Sequence, residues 1–288
     1  MNINQFDQPV GEALPDWQPV ARPPRTALSG QHCLLLPLSV DHAEALLQAF
    51  MLAPDDRDWT WLSAERPASL PQMQRWIADK VADAALVPFT VCTPNQQPCG
   101  VVCFASIEPE HGALEIGHVT WSPLMQRSVI GSEAIFLLLQ QAFSLGYRRV
   151  AWRCDSTNVA SRRAAERLGF RFEGRFRQVM TRKQRNRDTD WLSIIDREWP
   201  GVQRALSAWL SAENFTADGQ QKRPLSACFA GVNRGDADAI SQDAEAVSAA
   251  DARSVPQTSA GADSADRRPA APLLSSASGR NGCRRRAR

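Results

Sequence analysis

Glu115-Ile-Gly-His-Val-Thr-Trp-Ser-Pro123, continued by Gln126-Arg-Ser-Val-Ile-Gly-Ser132, is the stretch on which the fold turns. The residues up to Trp121 read as a strand. From Ser132 to Leu145, Ala134, Ile135, Leu138, Leu139 and Ala142 recur at helical spacing, and Gly146 supplies a stop. A strand therefore runs through a short loop into a helix. The first N–H groups of such a helix lack intrahelical partners, and together with the helix dipole they suit an anion such as a pyrophosphate. The dipole contributes only about 0.3–1 kcal/mol, up to ~2 when partly buried, so the number of N–H donors must supply the rest. Gly131 allows close backbone approach, and Arg127 adds charge.

Downstream of this junction, Arg149–Cys154 reads as a strand and Asn158–Leu168 as a helix stopped by Gly169. Strands over Arg171–Thr181 and Asp188–Asp196 and an amphipathic helix over Gly201–Ala212 follow. Upstream, Leu86–Cys92, Cys99–Ile107 and Leu114–Trp121 are strand-like, joined by the turn signals Pro94-Asn95 and Glu110-His111-Gly112. Before them come a strand at His32–Leu38 and a helix capped by Asp41 that carries Ala45, Leu46, Ala49 and Phe50. A second helix has Pro71 at its start and Met73, Trp76, Ile77 and Val81 on its apolar stripe. The order predicts an α+β fold with a mixed sheet packed between helices.

Three pieces of sequence carry a resemblance: Trp121-Ser-Pro…Gln126-x-x-x-x-Gly131, then Leu145-Gly-Tyr-Arg-Arg-Val150, then Asn158-x-x-Ser161-Arg-Arg-Ala-Ala-Glu-Arg-Leu-Gly-Phe170. Together they resemble the GNAT superfamily of acyl-CoA N-acyltransferases, and within it the branch containing the N-terminal acetyltransferases of ribosomal proteins. The resemblance spans roughly residues 30–200. It implies a central mixed, mostly antiparallel sheet flanked by helices, with acetyl-CoA as co-substrate and no metal. It implies that the pyrophosphate lies on Gln126, Arg127, Ser128, Val129, Ile130, Gly131 and Ser132. The pantetheine would lie along His118, Val119, Thr120 and Trp121, in a splay between that strand and Arg149–Cys154. Asn158 and Ser161 match the family positions that bond the pantetheine arm and the thiol end. Family loops usually read Gln/Arg-x-x-Gly-x-Gly/Ala, and Val129 stands at the first Gly position. That implies backbone strain if the position needs φ > 0, or crowding of the phosphate if it needs close approach.

Acetyl transfer needs a neutral amine, a polarised thioester carbonyl and a proton for the leaving thiolate. An α-amine with pKa near 7.7–8.0 is about a tenth neutral at pH 7, whereas a Lys near 10.4 is about a thousandth or less, so a strong base is optional for an α-amine. Backbone N–H near Val119–Thr120 is the expected oxyanion donor, and Ser161 the expected proton relay to sulfur. Glu115 is the first candidate base, with Asp155, Asp188 and Asp190 as weaker ones; Asp188 can instead pair with Arg185 or Arg187. Some relatives carry a Glu at a strand position that falls near Met180 here, and Met cannot act as a base. His111 reads as a solvated turn residue, His118 as structural, and Cys154 as a buried thiol rather than a nucleophile. Trp59 and Trp61 form the candidate acceptor wall, while Trp76, Trp152, Trp191 and Trp209 read as core. Arg182, Lys183, Arg185 and Arg187 read as a solvated basic turn, with steering of an acidic acceptor or contact with the 3′-phosphate of CoA as the alternatives. The expected activity is direct transfer of acetyl to a primary amine, on a protein N-terminus or a small molecule. The alternative is a catalytically silent acyl-CoA-binding or partner-binding relative, suggested by Val129 and Met180.

Composition sets the outer limits. The chain has 288 residues and a net charge of +2, with 33 basic against 31 acidic side chains, which excludes a whole-protein electrostatic case for nucleic acid or an anionic membrane. From Asp218 to Arg288 only eight large apolar side chains occur, and all nine Trp lie earlier. The expected organisation is a Pro-rich arm over residues 1–30, an acetyltransferase domain over 31–215 and a disordered low-complexity tail over 216–288, ending in Arg284, Arg285, Arg286 and Arg288. A body of that size buries about 70 % of its unfolded surface. Seven cysteines without a C-x-x-C pair point to reduced thiols and a cytoplasmic location. The four His show no metal-ligand spacing, the opening residues show no signal-peptide pattern, and no apolar run reaches the roughly 18–20 residues of a membrane span. A monomer or homodimer acting on a peptide or small-molecule amine is expected, with no membrane or nucleic-acid partner.

Overall fold

Alternation along one strand already divides the core. In the computed structural model, which describes residues 2–217 and 219–230, Val101, Cys103 and Ala105 of the strand Pro98–Glu108 face one helical layer. Val102 and Phe104 face the other. Side chains alternate across a strand, so a strand covered on both faces reads as one continuous apolar run.

The elements in chain order begin with β1 (Asn2–Ile3) and β2 (Pro9–Val10), a separate two-stranded sheet. Then come β3 (Leu28–Ser29), β4 (Leu34–Pro37), α1 (Ala43–Met51) and α2 (Leu70–Ala82). Next are β5 (Val87–Cys92), β6 (Pro98–Glu108), β7 (Ala113–Trp121) and α3 (Val129–Ser144). β8 (Arg149–Asp155), α4 (Val159–Arg167), β9 (Arg171–Arg182), β10 (Arg185–Ile195), α5 (Trp199–Leu210) and α6 (Leu225–Phe229) complete the chain. The main sheet has the order β3-β4-β5-β6-β7-β8-β10-β9. Every neighbouring pair is antiparallel except β7 and β8. A parallel pair needs a crossover, and α3 supplies it. Leu46, Phe50, Met73 and Ile77 of α1 and α2 pack on one face; Ile135, Leu138 and Leu139 of α3 with Leu206 of α5 pack on the other.

Several boundaries differ from the sequence reading. α3 starts at Val129 rather than Ser132, so Val129, Ile130 and Gly131 form its first turn. Val129 adopts no positive φ; within the loop that conformation falls to Arg127, at φ 59°. The strain expected at Val129 is therefore absent. The cap ahead of α1 is Ser39, whose hydroxyl accepts the Asp41 N–H at 3.2 Å and opens a 3-10 turn over Val40–His42. The N-terminal segment is docked: Trp17 Nε1 donates to Glu110 O at 3.0 Å, and Arg22 donates to Ala84 O at 2.6 Å. Its last residues, Leu28–Ser29, join the main sheet, so the arm does not end at 30 as expected. At the other end, Leu225 is buried within the core and Phe229 packs beneath Gly169. The packed body thus continues past residue 215, through at least Ala230. The remaining tail, including Cys283 and the terminal arginines, lies outside the described residues.

Candidate active site

β7 and β8 pair over only three positions, Ala113↔Arg149, Leu114↔Val150 and Glu115↔Ala151. Beyond them β7 continues to Trp121 and β8 to Asp155, and the two strands diverge. On its other side β7 slips against β6: Val101 pairs with Thr120 and Cys103 with Gly117, so two residues, His118 and Val119, oppose one. His118 sits at φ 53°. Such a bulge disrupts the ladder and re-aims the strand. The divergence opens into a cavity of about 1280 Å³. Of the expected cofactor residues, His118–Trp121, Gln126–Val129, Gly131, Ser132, Asn158 and Ser161 all line it. Ile130 does not; it packs against the core instead.

On one side of the cavity stands the start of α3. The Ser128 hydroxyl donates back to Met125 O at 2.8 Å and makes no side-chain cap. The N–H groups of Val129, Ile130 and Gly131 find no partner among the described residues. Val129 packs partly buried against the core. A Cβ on Gly131 would meet Trp121 Nε1 no closer than 3.5 Å, so the protein itself tolerates a side chain there. Arg167, at the end of α4, donates to the buried Ser132 hydroxyl and stacks over Trp209 at 5.5 Å. Burial holds its guanidinium below its ordinary pKa, and no carboxylate among the described residues lies within ion-pair distance.

The start of α4 is built differently. Asn158 Oδ1 accepts the Ser161 N–H at 3.0 Å, an N-cap. The Ser161 hydroxyl accepts from Trp152 Nε1 at 3.0 Å and lies within hydrogen-bonding reach of the Cys154 thiol. Cys154 lies nearby, its thiol pushed up to about 11 chiefly by burial, so it stays protonated and inert as expected.

The opposite side corrects several expectations. Glu115 is buried, and its Oε2 accepts from Arg153 and, at 3.2 Å, from the Ser106 hydroxyl. Both contacts fall on Oε2, so the candidate base meets the cavity already paired with a guanidinium. Asp155 accepts from the Thr157 N–H and hydroxyl, at 2.9 and 2.7 Å. Asp188 accepts from Gln178 N and Asn186 Nδ2, not from Arg185 or Arg187. Asp190, fully buried, is held by Arg162 and Arg175. His118 accepts from Lys80 Nζ at 3.1 Å through Nδ1. Burial, with Lys80 and Arg182 nearby, holds its imidazole down at about 4. Trp59 is 3 % exposed and packs edge-on against Phe50 and Trp76, yet it lines the cavity together with Trp61, which donates to Thr157 Oγ1 at 2.9 Å. Trp191, read as core, instead lines the cavity with a buried Nε1 that has no partner among the described residues. The β9–β10 hairpin is no solvated turn either. Arg182 donates to Trp61 O at 3.1 Å, Lys183 to Trp59 O at 2.9 Å, and Arg187 is buried.

Arg153, Arg167 and Trp191 were therefore missed as cavity residues, while Arg187 was weighed only as part of a basic hairpin. Their signal lay in strand alternation: Arg187, Thr189 and Trp191 share one face of β10 and all line the cavity. Among the described residues no three His, Cys, Asp or Glu cluster as metal ligands, and no helix is long and apolar enough to cross a membrane.

A mostly antiparallel sheet whose one parallel pair splays beside an uncapped helix start defines the fold class of acetyl-CoA-dependent acyltransferases. The model of the acetyltransferase (GNAT) domain matches residues 32–171. The structure of a GCN5-related N-acetyltransferase from Brucella melitensis is 39 % identical with a TM-score of 0.73, over 75 % of this chain and 99 % of that one. A probable acetyltransferase of the GNAT family from Chromobacterium violaceum is 40 % identical with a TM-score of 0.63, over 67 % and 98 %. The microcin C7 self-immunity acetyltransferase MccE, solved with acetyl-CoA and AMP, shares the fold at 21 % identity and a TM-score of 0.51, over 58 % and 93 %. No curated protein sequence matches the chain. The chain belongs to the GNAT acetyltransferase family, whose members use acetyl-CoA.

Proposed function

We propose that the protein is an acetyl-CoA-dependent N-acetyltransferase that passes the acetyl group directly to a primary amine. The observation that carries this reading is the juxtaposition of the β7–β8 splay with the open N–H groups of Val129, Ile130 and Gly131. The pyrophosphate would take those donors, with Arg127 and Arg167 adding charge. The pantetheine would run along His118–Trp121, with Asn158 Nδ2 beside it, since Oδ1 is used as the cap. The amine attacks the thioester carbonyl, an N–C bond forms and the C–S bond breaks. The departing thiolate takes a proton from Ser161, which recovers one from the amine through solvent, so the step balances. With Glu115 held by Arg153, the acceptor must arrive largely neutral, which favours an α-amine or another weakly basic amine. The Asn158–Phe170 motif supports placing the chain near the branch that acetylates ribosomal-protein N-termini. The free buried cysteines fit a cytoplasmic setting.

A silent acyl-CoA-binding relative is the second reading, favoured by the engaged carboxylates at the cavity. The two are separated by one experiment on the full chain. Acetyl-CoA at 100 times its Kd stabilises the fold by about 2.7 kcal/mol, and Gly131→Ala, which the free protein accommodates, weakens that stabilisation. Amine-dependent release of free thiol marks the enzyme; stabilisation without release marks the silent binder. The absence of any stabilisation overturns both.

A further inference from the structure

A guanidinium is buried at the acceptor side of the cavity without an acid to meet it. Arg187 is 7 % exposed, its Nε donates to Thr189 Oγ1 at 3.1 Å, and no carboxylate among the described residues lies within ion-pair distance. The reason lies in the register. The residue opposite Arg187 on β9 is Met180, which offers no charge. Two places along β9 on the same face, Arg182 donates to the Trp61 carbonyl; among the described residues no carboxylate lies within ion-pair distance, and Asp155 and Glu115 act on it only from farther off. Burial and the neighbouring Arg187 hold the Arg182 guanidinium below its ordinary pKa. The unpartnered Nε1 of Trp191 adds a third donor on the same face of β10.

The cavity's acids do not answer these groups. Glu115 is taken by Arg153 and Ser106, and Asp155 by Thr157. Asp58 accepts from Gln126 Nε2 at 2.7 Å, and Asp83 from the Ala85 N–H at 2.8 Å. Lys80 is turned toward His118. An unpaired buried cation is costly unless a ligand completes it.

Resting on the acetyltransferase reading, we infer that the acceptor is an amine that itself bears an acidic group, a carboxylate or a phosphate, which Arg187 and Arg182 hold while the amine faces the splay. The planar guanidinium suits both oxyanions through paired N–H donors. The same pair repels polyamines and other polycationic acceptors.

The test uses the full chain saturated with CoA, which occupies the donor side without turnover, at low ionic strength so that screening stays small. Matched probes differ in the acid alone: β-alanine against its amide, and phosphoethanolamine against ethanolamine, each titrated by calorimetry. The acidic member of at least one pair binds at least about tenfold more tightly than its neutral partner; which pair responds identifies carboxylate or phosphate. Arg187→Gln and Arg182→Gln each shrink that ratio toward one, and Arg187→Lys retains part of it. Circular dichroism and CoA affinity check each fold, and should Arg187→Gln not fold, the partly exposed Arg182 variant and the wild-type ratio still decide. Equal binding of acidic and neutral probes, no saturable binding of either acid, or a preference for spermidine overturns the inference. Because CoA binding is read separately, its failure removes the acetyltransferase reading, whereas CoA binding without acid preference removes only this one.

Discussion

At the start of α4, Asn158 Oδ1 takes the Ser161 N–H, whereas at the start of α3 the Ser128 hydroxyl turns back to Met125 and leaves Val129, Ile130 and Gly131 unanswered. Both helix starts face one cavity. The first is finished by its own chain and presents a positioned side chain; the second is unfinished and presents backbone donors. An N-cap is worth about 0.5–2 kcal/mol, so the free fold forgoes that much at α3. The difference teaches where an anion belongs.

The largest effect comes from the clasp that holds the α3 end in place. Glu133 accepts from the Gln31 and His32 N–H groups at 2.8 and 2.6 Å. Glu133→Ala strands both donors, at about 1–3 kcal/mol each, and thermal unfolding moves down by several degrees. A shift no larger than that of a surface alanine substitution would show the clasp is idle. Next, Ser128→Asp finishes the open helix as Asn158 finishes α4. It raises stability by up to about 1 kcal/mol, or about 2–4 °C in Tm. It also weakens acetyl-CoA binding about ten- to a hundredfold by setting a negative charge beside the pyrophosphate. Calorimetry showing equal or tighter binding breaks the comparison. The smallest effect separates the two duties of Asn158. Asn158→Ala lowers stability by about 1 kcal/mol and weakens acetyl-CoA binding. Asn158→Asp restores the cap and therefore the Tm, but lacks the Nδ2 donor and leaves the binding weak. If the Asp variant binds acetyl-CoA like the wild type, Asn158 is a cap and nothing more.

Much of this frame was legible in order along the chain. The apolar face of α3, the Gly146 and Gly169 stops and the run of β6 are local signals, and all fall where periodicity places them. The α3 start was misplaced by three residues: Ser128 is a fitting N-cap by type, but β-branched Val129 and Ile130 followed by Gly131 give a weak helical signal in the first turn. Leu225 was misread for another reason: it sits in a stretch without periodicity, and only packing against the core buries it. The partner of the candidate base comes from long range. Glu115 meets Arg153 across 38 residues, and nothing local to either predicts the pair.

Elements, their order and the strand–loop–helix junction follow from side-chain period and turn chemistry, which act over a few residues and can be read in one dimension. Charge pairing is settled by strand register. Register set Met180 opposite Arg187 and Arg153 beside Glu115; among the described residues it left the Arg187 guanidinium without a carboxylate and the Glu115 carboxylate occupied. A shift of one residue exchanges the faces of a strand, so only the folded sheet could decide which charges face the cavity and which of them are paired.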